Sequence, residues 1–102
     1  MDKATVINLA KKYAEAIRAK YSFSRMYLFG SYTKGSYYEE SDIDIAVVFK
    51  DFDNIFDMQL ELMRIRRKID SRIEPNPFRE EEFTISNPLA YEILKHGELI
   101  EY

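Results

Sequence analysis

At 102 residues, 46% hydrophobic and 15% aromatic, the chain has the size of one domain, expected to span 1–102, with a modest core and no room to enclose a large substrate. Its net charge of −3 argues against a dedicated nucleic-acid binder, which carries a basic excess, but leaves a local nucleotide site open. The lack of cysteine excludes disulfides, zinc–thiolate sites and a cysteine nucleophile, and with no membrane-length apolar run or secretory pattern a cytoplasmic location is expected.

The first element is a helix over about Asp2 to Tyr21, because Ile7, Ala10, Ala14, Ile17 and Tyr21 recur at helical spacing. Asp2 is its cap candidate, and Lys11, Lys12, Glu15, Arg18 and Lys20 fall largely toward water. Met26 to Phe29 then reads as a short buried strand. Gly30 to Gly35 follow as a glycine-bounded turn, with a short helix or turn over Ser31 to Tyr38. Tyr32, Tyr37 and Tyr38 cluster there; an aromatic face in that position can stack on a base, although packing is the commoner use. A second strand begins near Asp42 and runs to Phe49. Both of its parities become apolar, Ala46 and Val48 on one and Ile43, Ile45, Val47 and Phe49 on the other, which marks a central strand.

Asn54 to about Ile69 reads as a second long helix, capped by Asp53 or Asn54, with Ile55, Met58, Leu62, Ile65 and Ile69 as its stripe. Arg64, Arg66, Arg67 and Lys68 load its last turns, where cations suit the helix dipole. The same cluster is a candidate patch for a partner or a triphosphate. Ser71 to Pro75 reads as a short third strand that Pro75 and Pro77 limit and push to an edge. Phe78 to Asn87 reads as a polar loop with a helical turn at Arg79 to Glu82. A last helix has Asn87 as cap, Pro88 in its first turn and Gly97 at its close. His96, the single histidine, suits the dipole at that helix end. Leu99 to Tyr102 reads as a final short strand.

The informative stretch is Met26 to Phe49. Asp42 and Asp44 are two apart at the entry to a strand, so they project to one face, with Cα atoms roughly 6.5–7 Å apart. Two like charges about 5 Å apart repel by about 3 kcal/mol at an effective dielectric near 20, so a cation is expected between them. The turn supplies the complement. Gly30 permits close backbone approach, Ser31 is small and carries a hydroxyl, and a helix starting there turns free N–H groups outward, toward a phosphate. Lys34 adds a positive charge. The combination suits a nucleoside triphosphate with Mg²⁺.

Gly30-Ser31, Gly35 and Ser41-Asp42-Ile43-Asp44 resemble the GSxxxG…SDxD signature of the polymerase-β-like nucleotidyltransferase superfamily, and the short chain resembles its minimal nucleotidyltransferases. The resemblance implies an α/β (α+β) fold, a small mixed sheet with helices packed mainly on one face. It implies transfer of a nucleoside monophosphate, AMP from ATP, to a hydroxyl, with release of pyrophosphate. Asp42, Asp44 and Glu74 would be the catalytic residues and would hold two Mg²⁺ ions. Gly30, Ser31, Lys34, Gly35 and Ser41 would bind the nucleotide phosphates. Glu74 departs from the family pattern, in which aspartate is commoner at the third acidic position.

Minimal nucleotidyltransferases are often antitoxins of HEPN-domain toxin ribonucleases, and they can transfer AMP onto a tyrosine of the toxin. The resemblance therefore implies a HEPN-domain partner and a hetero-oligomer, which agrees with a chain that shows a donor site and no evident acceptor pocket. Two other readings stay open: a non-catalytic module that neutralises its partner by occlusion, and a small-molecule transferase, aminoglycoside-like, completed by a second subunit.

Overall fold

The computed structural model describes residues 1–101; the C-terminal end of the expected last strand, Tyr102, lies outside them. The elements in chain order are α1 (Lys3–Arg18), β1 (Arg25–Phe29), α2 (Ser31–Lys34), β2 (Ile43–Phe49), α3 (Ile55–Arg66), β3 (Ile73–Arg79), a 3₁₀ turn (Glu80–Glu82), α4 (Pro88–His96) and β4 (Glu98–Leu99). Among the described residues no helix is long and apolar enough to cross a membrane.

The caps explain the helix starts. The Asp2 side chain accepts from Thr5 N, Asn54 from Phe56 N and Asp57 N, and Asn87 from Leu89 N and Ala90 N. Each satisfies N–H groups that have no partner inside the helix. Pro88 takes the first turn of α4, where its missing N–H costs nothing.

The sheet runs β3-β2-β1-β4. β1 is antiparallel to both β2 and β4, and β2 is parallel to β3, so the sheet is mixed and β2 is internal, as its two apolar parities require. The two long helices cover one face. Val6, Ala10, Tyr13, Ala14 and Ile17 of α1 and Leu62 and Ile65 of α3 pack with Met26, Leu28, Ile43, Ile45, Val47 and Ile73. The Tyr13 hydroxyl donates to the Leu62 carbonyl at 2.7 Å, tying α1 to α3. The other face carries a smaller core: Ala46, Val48 and Phe78 under Phe83, Ala90 and Ile93, with Tyr27 and Phe29 beside them.

The third strand differs from the expectation. It continues through both prolines to Arg79, and Phe78 is a buried strand residue rather than the start of a loop. β3 is an edge strand, and the carbonyls of Ile73 and Pro75 face outward to α3, where they accept from Arg66 Nη1 (2.8 Å) and Gln59 Nε2 (2.9 Å). The proline nitrogens lie on that same outer side and remove no ladder bond, which is how an edge strand tolerates them.

Candidate active site

The smaller-core face leads to the site. Asp44 shares the parity of Ala46 and Val48 and lies one step toward the strand's N-terminal end. In register it faces Phe29 of β1 on one side and Glu74 of β3 on the other. Glu74 therefore projects on the same face as Asp44 and next to it. Asp42 is exposed and precedes the first residue of β2. It still acts on Asp44: burial first, then the Asp42 charge, then the Glu74 charge push the Asp44 carboxyl up to about 6. The structure thus brings Asp44 and Glu74 together and puts Asp42 within electrostatic reach. Among the described residues no group of three or more acidic or histidine side chains is placed to hold a metal ion.

Gly30 forms the floor. Its φ is +78° and its ψ −144°, a combination open to glycine alone. A Cβ at position 30 would overlap Asp44 Oδ2 and stand 3.1 Å from its Cγ. The turn after it is tightly wound. The Gly30 carbonyl accepts from Thr33 N (3.1 Å), Lys34 N (3.2 Å) and Thr33 Oγ1 (3.0 Å). Gly35 closes α2 with φ +74° and its N–H on the Ser31 carbonyl; open space surrounds its α-carbon, so its role is conformational. The N–H groups of Ser31 and Tyr32 at the start of α2 have no acceptor within the helix.

Three side chains have roles that the sequence did not give. Ser41 is buried, and its Oγ accepts from Tyr38 N at 2.9 Å while its N donates to the Tyr38 carbonyl. It closes the turn that delivers the chain to Asp42. Lys34 Nζ pairs with Glu92 of α4 at 2.9 Å. Arg66 Nη1 lies 3.5 Å from Glu74 Oε1 while also donating to the Ile73 carbonyl, so the helical arginine cluster contributes one member to the site. The basic end of α3 was the signal for Arg66; nothing in the sequence marked Glu92. Of the clustered tyrosines, Tyr32 is buried and stacks on Tyr37 at 4.6 Å; Tyr37 and Tyr38 are both exposed, Tyr38 the more so. His96 sits in the last turn of α4, as the helix end suggested.

The strand, the glycine-bounded turn and the second strand bearing Asp44 all lie within residues 8–101, which a family model described as "Polymerase beta, Nucleotidyltransferase" matches. The chain belongs to that family. Relatives agree. A provisionally named protein adenylyltransferase of Methanocaldococcus jannaschii is 29% identical over 97 residues, 90% of this chain and 95% of its own length. Another from the same organism is 43% identical over 56 residues, 52% of this chain; the aligned part spans 56% of that relative.

Solved structures extend the likeness to the fold. A provisionally named nucleotidyltransferase from Sulfolobus solfataricus superimposes with a TM-score of 0.69 at 27% identity, covering 95% of this chain and 80% of that one. A toxin–antitoxin crystal structure with AMP-PNP gives 0.68 at 29% identity, covering 89% and 71%. A complex of tri-AMPylated Shewanella oneidensis HEPN toxin with MNT antitoxin gives 0.63 at 25% identity, covering 97% and 71%. The nucleotidyltransferase resemblance read from the signature residues is therefore borne out, as is the small mixed α/β sheet.

Proposed function

We propose that the chain, working as one domain, transfers AMP from ATP to a hydroxyl of a HEPN-domain toxin, a tyrosine, and so acts as the antitoxin of that pair. The observation that carries this reading is the Asp44 carboxylate, packed on Gly30 and raised by burial and by Asp42 and Glu74. Support for the partner comes from the complexes to which the chain is similar, one of them holding an AMPylated HEPN toxin. A further similar structure, of the MntA-HpeT pair, carries two aspartate-to-glutamate substitutions two positions apart, the spacing of Asp42 and Asp44.

The donor set fits a divalent cation. Asp42, Asp44 and Glu74 offer only carboxylate oxygens, the ligands Mg²⁺ prefers, and the Asp44 carboxyl is raised first by burial and then by the Asp42 and Glu74 charges. Bound there, two Mg²⁺ ions would neutralise charge on the acceptor oxygen and on the departing pyrophosphate. Asp42 and Asp44 would hold the cation, with Glu74 beside Asp44 on β3. The backbone of Gly30, Ser31 and Gly35 and the Ser31 hydroxyl hold the terminal phosphates, Lys34 adds charge, and Ser41 contributes by fixing the turn before Asp42. In the reaction the acceptor oxygen forms a bond to the α-phosphorus, the bond from that phosphorus to the β-bridging oxygen breaks, and the hydroxyl proton passes to solvent. Positioning and charge neutralisation supply most of the rate.

The test is intact-mass measurement of candidate HEPN-domain proteins from the same organism, incubated with this chain, Mg²⁺ and each nucleoside triphosphate in turn. The expected result is a gain of whole AMP units with ATP and none with chelator present. A stable complex with no mass gain for any triphosphate would favour occlusion instead.

A further inference from the structure

The core-facing stripe of α3 leaves a second apolar row on its opposite side. Phe56 is 75% exposed and Leu60 52%, Met63 continues the row at position i+7, and the charged C-cap Arg67 ends it at i+11. This 4-3-4 spacing is the seam of a helix that pairs with another helix. Among the described residues no element covers it; α3 meets α1 and β3 with its other sides.

The charges beside the row are segregated along the helix. Asp53 and Asp57 lie at its N-terminal end, and Arg64, Arg67 and Lys68 at its C-terminal end. Asp57 and Arg64 stand seven residues apart on one flank of the row, both exposed. A helix with an acidic beginning and a basic end is complementary to a copy of itself running the other way. In an antiparallel pairing that sets Leu60 against Met63 of the second copy, and Phe56 against its Arg67, the flank pair that falls in register is Asp57 with Arg64, formed twice by the two-fold axis. On the opposite flank Gln59 and Arg66 bond to β3; on this flank Arg64 Nη1 lies 3.3 Å from Glu61 Oε2 of its own helix, and its exposed guanidinium has further N–H groups to give to Asp57 of the second copy. Beside the acidic end an open cleft of about 550 Å³, lined by Phe52, Asp57, Leu60, Glu61 and Arg64 among others, gives a facing side chain room to settle.

We propose that α3 is a self-association surface, through which two copies of this chain pair as an antiparallel, two-fold symmetric dimer. The α3 face of the sheet is the one away from Asp44, so pairing leaves both candidate active sites open. α3 has 12 residues, about 18 Å of helix. The contact is therefore at the small end of specific interfaces, with a dissociation constant expected at roughly 10–100 μM.

Sedimentation equilibrium over a concentration series tests this with charge-swapped variants. Asp57→Lys places two lysines opposite two arginines, and Arg64→Glu places two glutamates opposite two aspartates. Each variant alone is expected to raise the dissociation constant at least tenfold. An equimolar mixture of the two restores both pairs and is expected to form a 1:1 dimer at the parent's affinity. Thermal melts confirm that each variant is folded, and Phe56→Asp, at an exposed position, is expected to stay folded and monomeric. The proposal is overturned if the parent stays monomeric up to millimolar concentration, if Phe56→Asp dimerises as the parent does, or if the mixture stays monomeric. A monomeric parent whose HEPN-domain partner is lost on Phe56→Asp would assign the row to that partner instead.

Discussion

The Asp44 carboxylate fills the space that a side chain at position 30 would need, so Gly30 and Asp44 are fitted to each other across the β1–β2 ladder. The glycine that starts the proposed phosphate turn and the aspartate of the proposed cation site form one contact. Moving either residue moves both halves of the site.

Gly30→Ala should therefore cost more than Gly35→Ala. Both put a Cβ on a positive φ, worth about 1–2 kcal/mol, but only Gly30 adds a collision with Asp44; overpacking adds roughly 1–3 kcal/mol. Urea unfolding of the two variants should rank them in that order. Transfer activity should fall further in Gly30→Ala, because the carboxylate is displaced.

Asp44→Asn separates stability from function. Because the folded carboxyl is raised to about 6 from its usual 3.8, the folded state holds more protons than the unfolded chain between those values, and stability falls as pH rises through that window. With chelator present, the parent should melt at a higher temperature at pH 5 than at pH 7. Asp44→Asn should lose that difference and gain at pH 7. The side chain is half-buried, so after solvent screening the gain is roughly 1 kcal/mol, about 4–8 °C for a domain near this size. Transfer should fall by roughly 10²-fold or more. An Asp44→Asn protein that melts below the parent at pH 7 in chelator would contradict the assignment.

Glu74 has two neighbours of opposite effect. Its charge raises Asp44, while Arg66 sits 3.5 Å from it. Glu74→Gln relieves the first and breaks the second, so with chelator its stability should stay within about 0.5 kcal/mol of the parent. Mg²⁺ with ATP should then stabilise the parent more than the variant, since only the competent site gains by mass action. Equal ligand-induced shifts in thermal melts would remove Glu74 from the cation site.

Lys34 and Glu92 make opposite predictions for the donor. Their pair is exposed and adds no more than about 1 kcal/mol to stability. Lys34→Ala should raise the KM for ATP, whereas Glu92→Gln frees the lysine for the triphosphate and should leave KM equal or lower. A rise in KM for both variants would make the pair a purely structural link between α2 and α4.

The chain's local chemistry determined most of the candidate site. Glycines at 30 and 35, the Asp42–Asp44 spacing and the apolar run to Phe49 are short-range features, and turn geometry and strand parity follow from them directly. The caps Asp2, Asn54 and Asn87 fixed the helix starts for the same reason. The tertiary structure decided what depends on neighbours. Pro75 and Pro77 limit a strand by local rules, yet β3 runs to Arg79 because its outer side needs no ladder bonds. Ser41 looks like a polar site residue in the sequence and is buried in a turn. Arg66 beside Glu74 and Glu92 beside Lys34 join residues of separate elements, eight positions apart in one pair and 58 in the other. Such contacts are set by how elements pack across and around a sheet, and periodicity along one segment carries no record of them.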